Sequence, residues 1–227
     1  MESKKLFIWI VCVVCFFNSC KKEQTPEKSE FSIVGYFNIP SALTIKAYIV
    51  LSEDDLNGVE IASSGFDNGN FKLILQEPLD DKLLSNFRAT FEEEFEISCP
   101  DAKGARIGYM EVYRSPHGTL PYIIGQAFCG KYFEIRDTPT EYYSHKVNKD
   151  WLYADKDVTI KGTYNNQGRI VGSVDWSFKK GWNEIYVEEI LEINWEAGGT
   201  YTWTTIETTT KSERYVGLEW YLWDETF

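Results

Sequence analysis

From Phe31 onward the chain alternates apolar and polar residues with a period of two, and this alternation limits the possible folds more than any other feature. Successive side chains of a strand point to opposite faces, so the pattern is that of sheets with one buried face. Thr44-Ile45-Lys46-Ala47-Tyr48-Ile49-Val50-Leu51 and Phe71-Lys72-Leu73-Ile74-Leu75 read as strands. Val158, Ile160 and Tyr164 share a face of a third. Ile170, Val174, Trp176 and Phe178 repeat that logic beyond the turn Asn165-Asn166-Gln167-Gly168. Further strands run from Asn183 to Ile193, through the threonine-rich stretch Thr200 to Thr210, and from Tyr215 to Trp223. Roughly ten or more short strands predict an all-β, antiparallel β-sandwich, either one elongated sandwich or two packed ones. One segment departs from the pattern. Asp80-Asp81 followed by Leu83, Leu84, Phe87 and Phe91 predicts one short helix near 80–92, and Glu92-Glu93-Glu94 reads as a solvated face.

Composition excludes whole classes of partner. The chain is 43% hydrophobic and 16% aromatic, which supplies a core and rules out a disordered polymer. Its 23 basic and 35 acidic residues give a net charge of −12, the wrong sign for a nucleic-acid surface. Only two histidines are present, which leaves little acid–base or metal chemistry near neutral pH.

The first twenty residues carry an address. Lys4-Lys5 precedes an apolar run from Leu6 to Phe17. At about 1.5 Å per residue that run spans roughly 18 Å, short of the roughly 30 Å hydrocarbon core, so it fits a secretory signal better than a spanning helix. Phe17-Asn18-Ser19-Cys20 resembles the lipobox of bacterial lipoproteins, with phenylalanine where leucine is usual. The resemblance implies that 1–19 is removed and that Cys20 becomes a diacylglyceryl- and acyl-modified N-terminus. It further implies a protein tethered to the outer membrane through that lipid. Each buried CH₂ adds about 0.8 kcal/mol, so several chains anchor stably. Loss of Glu2, Lys4 and Lys5 leaves 21 basic and 34 acidic residues, a net of −13. Residues 20–30, with Pro26, read as the lipidated cysteine and a flexible tether. Cys20-Lys21-Lys22-Glu23 also resembles, in part, the surface-export signal of Bacteroidetes lipoproteins, with Gln24 in place of a second acidic residue. The domain would therefore face either the periplasm or the cell surface.

Residues 31–75 resemble the carboxypeptidase-regulatory or transthyretin-like β-sandwich module. They carry Gly35, the strand Ile45-Lys46-Ala47-Tyr48 and the hairpin Asp67-Asn68-Gly69-Asn70-Phe71. The resemblance implies a non-catalytic module in which Phe71 plugs the sandwich. Pro100-Asp101-Ala102-Lys103-Gly104 interrupts the strands and suggests a boundary. On this reading an N-terminal β-sandwich module covers 31–99 and an aromatic-rich β-sandwich domain covers 105–227.

Few residues are arranged for chemistry. Cys12 and Cys15 leave with the signal, so Cys99 and Cys129 remain in an oxidising compartment. A disulfide between them is expected, the alternative being two buried thiols. His117 and His145 sit in no nucleophile elbow or zinc spacing, and neither a metal site nor a cofactor is expected. The paired carboxylates Asp54-Asp55, Asp80-Asp81 and Asp155-Lys156-Asp157 do not reveal the cleft geometry that glycoside hydrolysis needs. Tryptophan is concentrated instead, with seven of the eight between Trp151 and Trp223. In the last strand Val216, Leu218, Trp220 and Leu222 read as core, which turns Tyr221 and Trp223 to the other face. Tyr201 and Trp203 likewise share a face. Together these four would form an aromatic platform for a sugar ring, with Thr205, Glu207 and Glu219 as polar neighbours. The leading expectation is a non-catalytic interaction or structural lipoprotein of the envelope, with a glycan or an envelope protein as partner. Glycan capture is the alternative and hydrolysis a distant third. Replacing Cys20 with alanine should abolish metabolic labelling with radioactive palmitate and release the protein from the membrane fraction.

Overall fold

The computed structural model describes residues 30–223 except 39–43, 52–57, 92–93, 115–119, 121, 139, 167–169, 197–198 and 213–214, and leaves aside the side chains of 166 and 194–203. The signal segment, Cys20, the tether and His117 lie outside the described residues.

The described chain is nearly all β. Four strands open it: β1 (Ser32–Tyr36), β2 (Thr44–Ile49), β3 (Val59–Asp67) and β4 (Asn70–Ile74). The hairpin between β3 and β4 turns at Asn68 (φ 49°) and Gly69 (φ 83°), the left-handed backbone that Asn-Gly tolerates at low cost. Two short pairs follow, β5 (Ser85–Asn86) and β6 (Glu96–Ile97), with a single helical turn α1 (Phe87–Thr90) between them. Long strands then take over: β7 (Lys103–Arg114), β8 (Tyr122–Asp137), β9 (Glu141–Ala154), β10 (Val158–Asn166), β11 (Ile170–Phe178), β12 (Gly181–Glu196) and β13 (Gly199–Thr209). A short β14 (Glu219–Trp223) completes the set. Hydrogen bonding links them in the order β1-β4-β3-β2-β7-β8-β9-β12-β13-β11-β10-β6, with β14 added to β8 and β5 to β7. Pairing is antiparallel apart from β11 with β13, which run parallel because β12 crosses between them.

β9 and β12 are the spine. Their register runs unbroken from Gly181↔Ala154 to Asn194↔Glu141. Alternation along them feeds two cores on opposite faces. Trp151, Tyr153 and Trp182 turn into a first cluster with Ile33, Ile45, Phe71, Leu73, Val112 and Cys129. Leu152, Ala154 and Ile185 turn the other way, into a second cluster with Phe87, Phe95, Ile160, Val174, Trp176 and Phe178. The sheet therefore curls over one face with its N-terminal strands and over the other with β10 and β11. At the expected boundary near residue 100, β7 begins and pairs with β2 on one side and with β8 and β9 on the other. Residues from both sides of that expected boundary thus contribute to one sheet and to both clusters.

The expected helix near 80–92 is reduced to two separate turns. A 3-10 turn, Asp81–Leu83, is capped by the Asp80 carboxylate, and α1 is capped by Asn86. Between them Ser85 pairs with Gly104 as a strand, and Phe87 N–H donates to Ala102 O at 3.1 Å. The spacing of Leu83 and Phe87 looked helical, but the two side chains enter different cores, which one continuous helix face does not permit.

The expected disulfide is also corrected, because Cys99 and Cys129 are free thiols. Cys129 is buried on β8 in the first cluster, whereas Cys99 packs at the margin of the second. The sheet lies between them. Cys99 donates to Asp101 Oδ1 at 3.0 Å, and this bond holds its thiol above the ordinary range. Burial pushes Cys129 up to about 11. Thiolate is scarce at neutral pH in both cases, and rises only as pH climbs toward the raised values. Iodoacetamide at pH 8 should therefore modify Cys99 slowly and Cys129 only after denaturation, with both thiols labelled in denaturant without reductant. Mass spectrometry showing neither labelled before reduction would contradict this. Trp151, 3% exposed and stacked on Trp220 at 5.7 Å, is central to the first cluster. Trp151→Ala should cost about 3–5 kcal/mol in urea-induced unfolding.

Candidate functional site

The most open aromatic feature on the described surface forms where β14 joins β8. Their register sets Tyr221 against Phe128 and Trp223 against Gln126. Residues opposed across an antiparallel pair share a face. Tyr221, Trp223 and Phe128 therefore turn outward, while Trp220 and Leu222 pack against the first cluster. On the neighbouring strand, β9, Lys146 lies opposite Tyr132 and Asn148 opposite Gly130. Gly130 is the gap in this face. A Cβ there would fall 2.5 Å from Val147 O and 2.7 Å from Asn148 Oδ1, so glycine lets β9 approach closely between Phe128 and Tyr132.

The result is a cleft of about 420 Å³ lined by Phe128, Lys131, Tyr132, Lys146, Asn148, Tyr221, Leu222 and Trp223. That volume is within the range of small-ligand sites, on the order of 300–1,000 Å³. Trp223 is 63% exposed and Tyr221 38%, large apolar areas to leave in water. Trp223 and Phe128 rings meet at 6.3 Å with a tilt of 57°, so they flank the opening as two inclined planes. Burial, together with Glu219 and Tyr132, holds the Tyr221 hydroxyl above its ordinary range, and it stays neutral at physiological pH.

The segment leading into β14 is fixed by a small third cluster. Tyr215 is buried, stacks on Tyr186 at 5.2 Å and donates to Glu188 Oε2 at 2.9 Å. His145 Nε2 lies 2.8 Å from the other oxygen of Glu188. His145 thus helps hold the scaffold of the cleft and does not line it.

The four aromatics expected to form one platform are not brought together. Tyr221 and Trp223 are exposed as expected, although Val216, expected in the core, is exposed as well. Tyr201 and Trp203 are on β13, and their side chains lie outside the described residues. The register carries Trp203 through Glu192 and Tyr143 to Arg136 on β8. From Phe128 to Arg136 is roughly 25 Å at about 3.3 Å per residue, and β9 and β12 intervene. Thr205 and Glu207 are on β13 as well, so of the expected polar neighbours only Glu219 is near. Phe128, Tyr132, Lys146 and Asn148 take the vacant places. The Phe128-Cys129-Gly130-Lys131-Tyr132 alternation was a readable signal for two of them, but the pairing of β14 with β8 was not written locally.

Other constellations on the described surface have structural explanations. A second cleft of about 390 Å³ lies between Leu83, Phe87 and Phe91 on one side and Gly104 and Gly108 on the other, and its walls are mostly core side chains. Arg106 at that cleft is held by Asp150. Tyr48 and Tyr113 share a hydroxyl contact at 2.8 Å, Tyr113 also donates to Glu111, and Tyr48 stacks on Tyr109 at 4.9 Å. Among the described residues no group of three or more His, Cys, Asp or Glu is arranged to hold a metal, and no helix is long and apolar enough to cross a membrane. Comparison with known proteins finds no matching protein family, no curated protein of similar sequence and no solved structure of similar fold.

Proposed function

We propose that this chain is a non-catalytic lipoprotein of the cell envelope, anchored in the outer membrane through Cys20, whose sheet domain captures glycan in the β8–β14 cleft. The observation that carries the reading is the exposure of Trp223 and Tyr221 at the rim of a cleft walled by Phe128 and Tyr132. A pyranose has an apolar face of C–H groups that is desolvated favourably against an aromatic plane, while its rim hydroxyls need polar neighbours. Asn148 and Lys146 supply those neighbours. Capture is favoured over cleavage because glycoside hydrolysis uses two carboxyl groups about 5–10 Å apart, and among the described residues none that lines the cleft is acidic.

Affinity electrophoresis of the protein through gels containing single polysaccharides tests the reading. At least one glycan should retard it. Trp223→Ala and Tyr221→Ala should each weaken that retardation by about tenfold or more, roughly 1.4 kcal/mol. Both are rim positions, so unfolding free energies should change by less than about 0.5 kcal/mol. Retardation unchanged by both substitutions would overturn the site, and retardation by no glycan would overturn the function.

A further inference from the structure

We infer that the outward face of β1 and β4 docks on the bilayer and turns the β8–β14 cleft away from it; this rests on the lipid anchor at Cys20 and adds an orientation to it. β1 is the first strand of the sheet order, and its outer margin pairs with no described strand. Its inward residues Ile33 and Gly35 lie opposite Leu73 and Phe71 of β4. Alternation therefore turns Val34 and Tyr36 outward, together with Ile74, which stands opposite Ser32. All three are left in water, at 63%, 53% and 51% exposure respectively. Val34 and Tyr36 are about 7 Å apart along the strand, and Ile74 is diagonal to Val34 at a comparable distance. Single exposed apolar residues are ordinary, but three that share one face at the edge of a sheet mark a contact surface.

The chain ahead of this face points to its occupant. From Cys20 to Glu30 the chain reaches at most about 35 Å, at roughly 3.3–3.6 Å per residue fully extended. The Glu30 carboxylate meets the Lys72 ammonium at 2.9 Å, and Lys72 stands opposite Val34, so the chain arrives at β1 on this same face. A bilayer holding Cys20 is thus close to Val34, Tyr36 and Ile74, and a short flexible tether gives their contact an effective concentration on the order of mM. Weak docking then suffices. The residue types suit a headgroup boundary, with two branched aliphatic side chains for the acyl region and a tyrosine whose hydroxyl stays wet. The open margin of β1 keeps the docking shallow, because its N–H and C=O groups would go unsatisfied in the hydrocarbon core. Glu30 and Asp67 border the face and the chain carries a net charge of −12, so the matching surface is zwitterionic lipid.

The orientation follows from the core. On the inward side Phe71 meets Trp220 of β14 edge-on at 4.9 Å, and a Cβ on Gly35 would fall 2.3 Å from Trp220 Nε1. β1 and β4 therefore oppose β14 across the first cluster. Their outward faces point in opposite directions, one toward the bilayer and the other, with Tyr221 and Trp223, away from it.

The test uses the full-length lipidated protein in phosphatidylcholine vesicles, with the polarity-sensitive fluorophore nitrobenzoxadiazole on a single introduced cysteine. Cys99→Ser removes the reactive background, since Cys129 is buried. Val34→Cys and Ile74→Cys report on the docking face, Tyr221→Cys on the cleft and Val171→Cys on exposed β11. The fluorophore at Val34 or Ile74 should emit to the blue and lose roughly half or more of its emission to lipids bearing a nitroxide near the headgroup, since interfacial elements sink by roughly 5–10 Å. At Tyr221 and Val171 it should be neither shifted nor quenched. Tyr36→Glu should abolish the shift and the quenching at Ile74 while the protein still floats with the vesicles. The quenching pattern of the four labelled proteins stands as a readout even where Tyr36→Glu folds poorly. A protein that does not float with the vesicles would remove the anchor reading and this inference with it. Flotation with Val34 and Ile74 positions unshifted and unquenched would overturn the docking and leave the anchor standing. A blue shift there that the lipid nitroxide does not quench would put protein on this face in place of lipid, and equal quenching at all four positions would remove the orientation; either result overturns the inference.

Discussion

The pairing of β9 with β12 is the interaction on which the rest of the molecule depends. It is the longest unbroken register in the sheet, and each strand is apolar on both faces at one end. Trp151, Leu152, Tyr153 and Ala154 are four consecutive buried residues, a run that a strand can bury only when both of its faces are covered. That requirement recruits the N-terminal strands to one side and β10 and β11 to the other. Toward the opposite end the same strands carry Lys146, Asn148, Glu188 and Glu189, and the double cover ceases. The cleft is placed there, where the spine has emerged from under its second layer.

Much of the architecture was legible in the alternation. The class of fold, the Asn68-Gly69 turn, the inward Phe71 and the outward Tyr221 and Trp223 all follow from local pattern, since period two fixes which side chains share a face. What the pattern does not encode is which strands become neighbours. The sequence places Tyr201 and Trp203 in a strand close in the chain to β14, and chain proximity suggested one platform. The sheet instead inserts β9 and β12 between β8 and β13. The cysteines teach the same lesson, because compartment and number suggested a bond that the sheet between the two cores does not allow. The helical spacing of Leu83 and Phe87 is realised as a 3-10 turn and one short helix, because the two cores draw these residues apart.

The candidate site depends equally on what is missing from a strand. Gly130 omits one side chain from the middle of an otherwise aromatic face, and β9 closes onto that position through Val147 O and Asn148 Oδ1. Tyr215, Glu188 and His145 then lock the approach to β14 from the opposite face of the sheet. The close approach at Gly130 and this lock are built on different faces of the sheet. This is how a surface cleft can be rigid although its aromatic rim is open to water.

The attachment of β14 to β8 also sets an order of events. β8 is bordered by β9 as soon as the hairpin between them closes, a local event with little chain entropy to overcome. Its other margin, at residues 126–130, must wait for a strand from far along the chain, and such distant pairings form late. Until then β8 presents bare N–H and C=O groups beside exposed Tyr132, Phe133 and Ile135, a combination that invites the wrong strand. The segment that closes this margin of β8 is the same one that carries the exposed Tyr221 and Trp223.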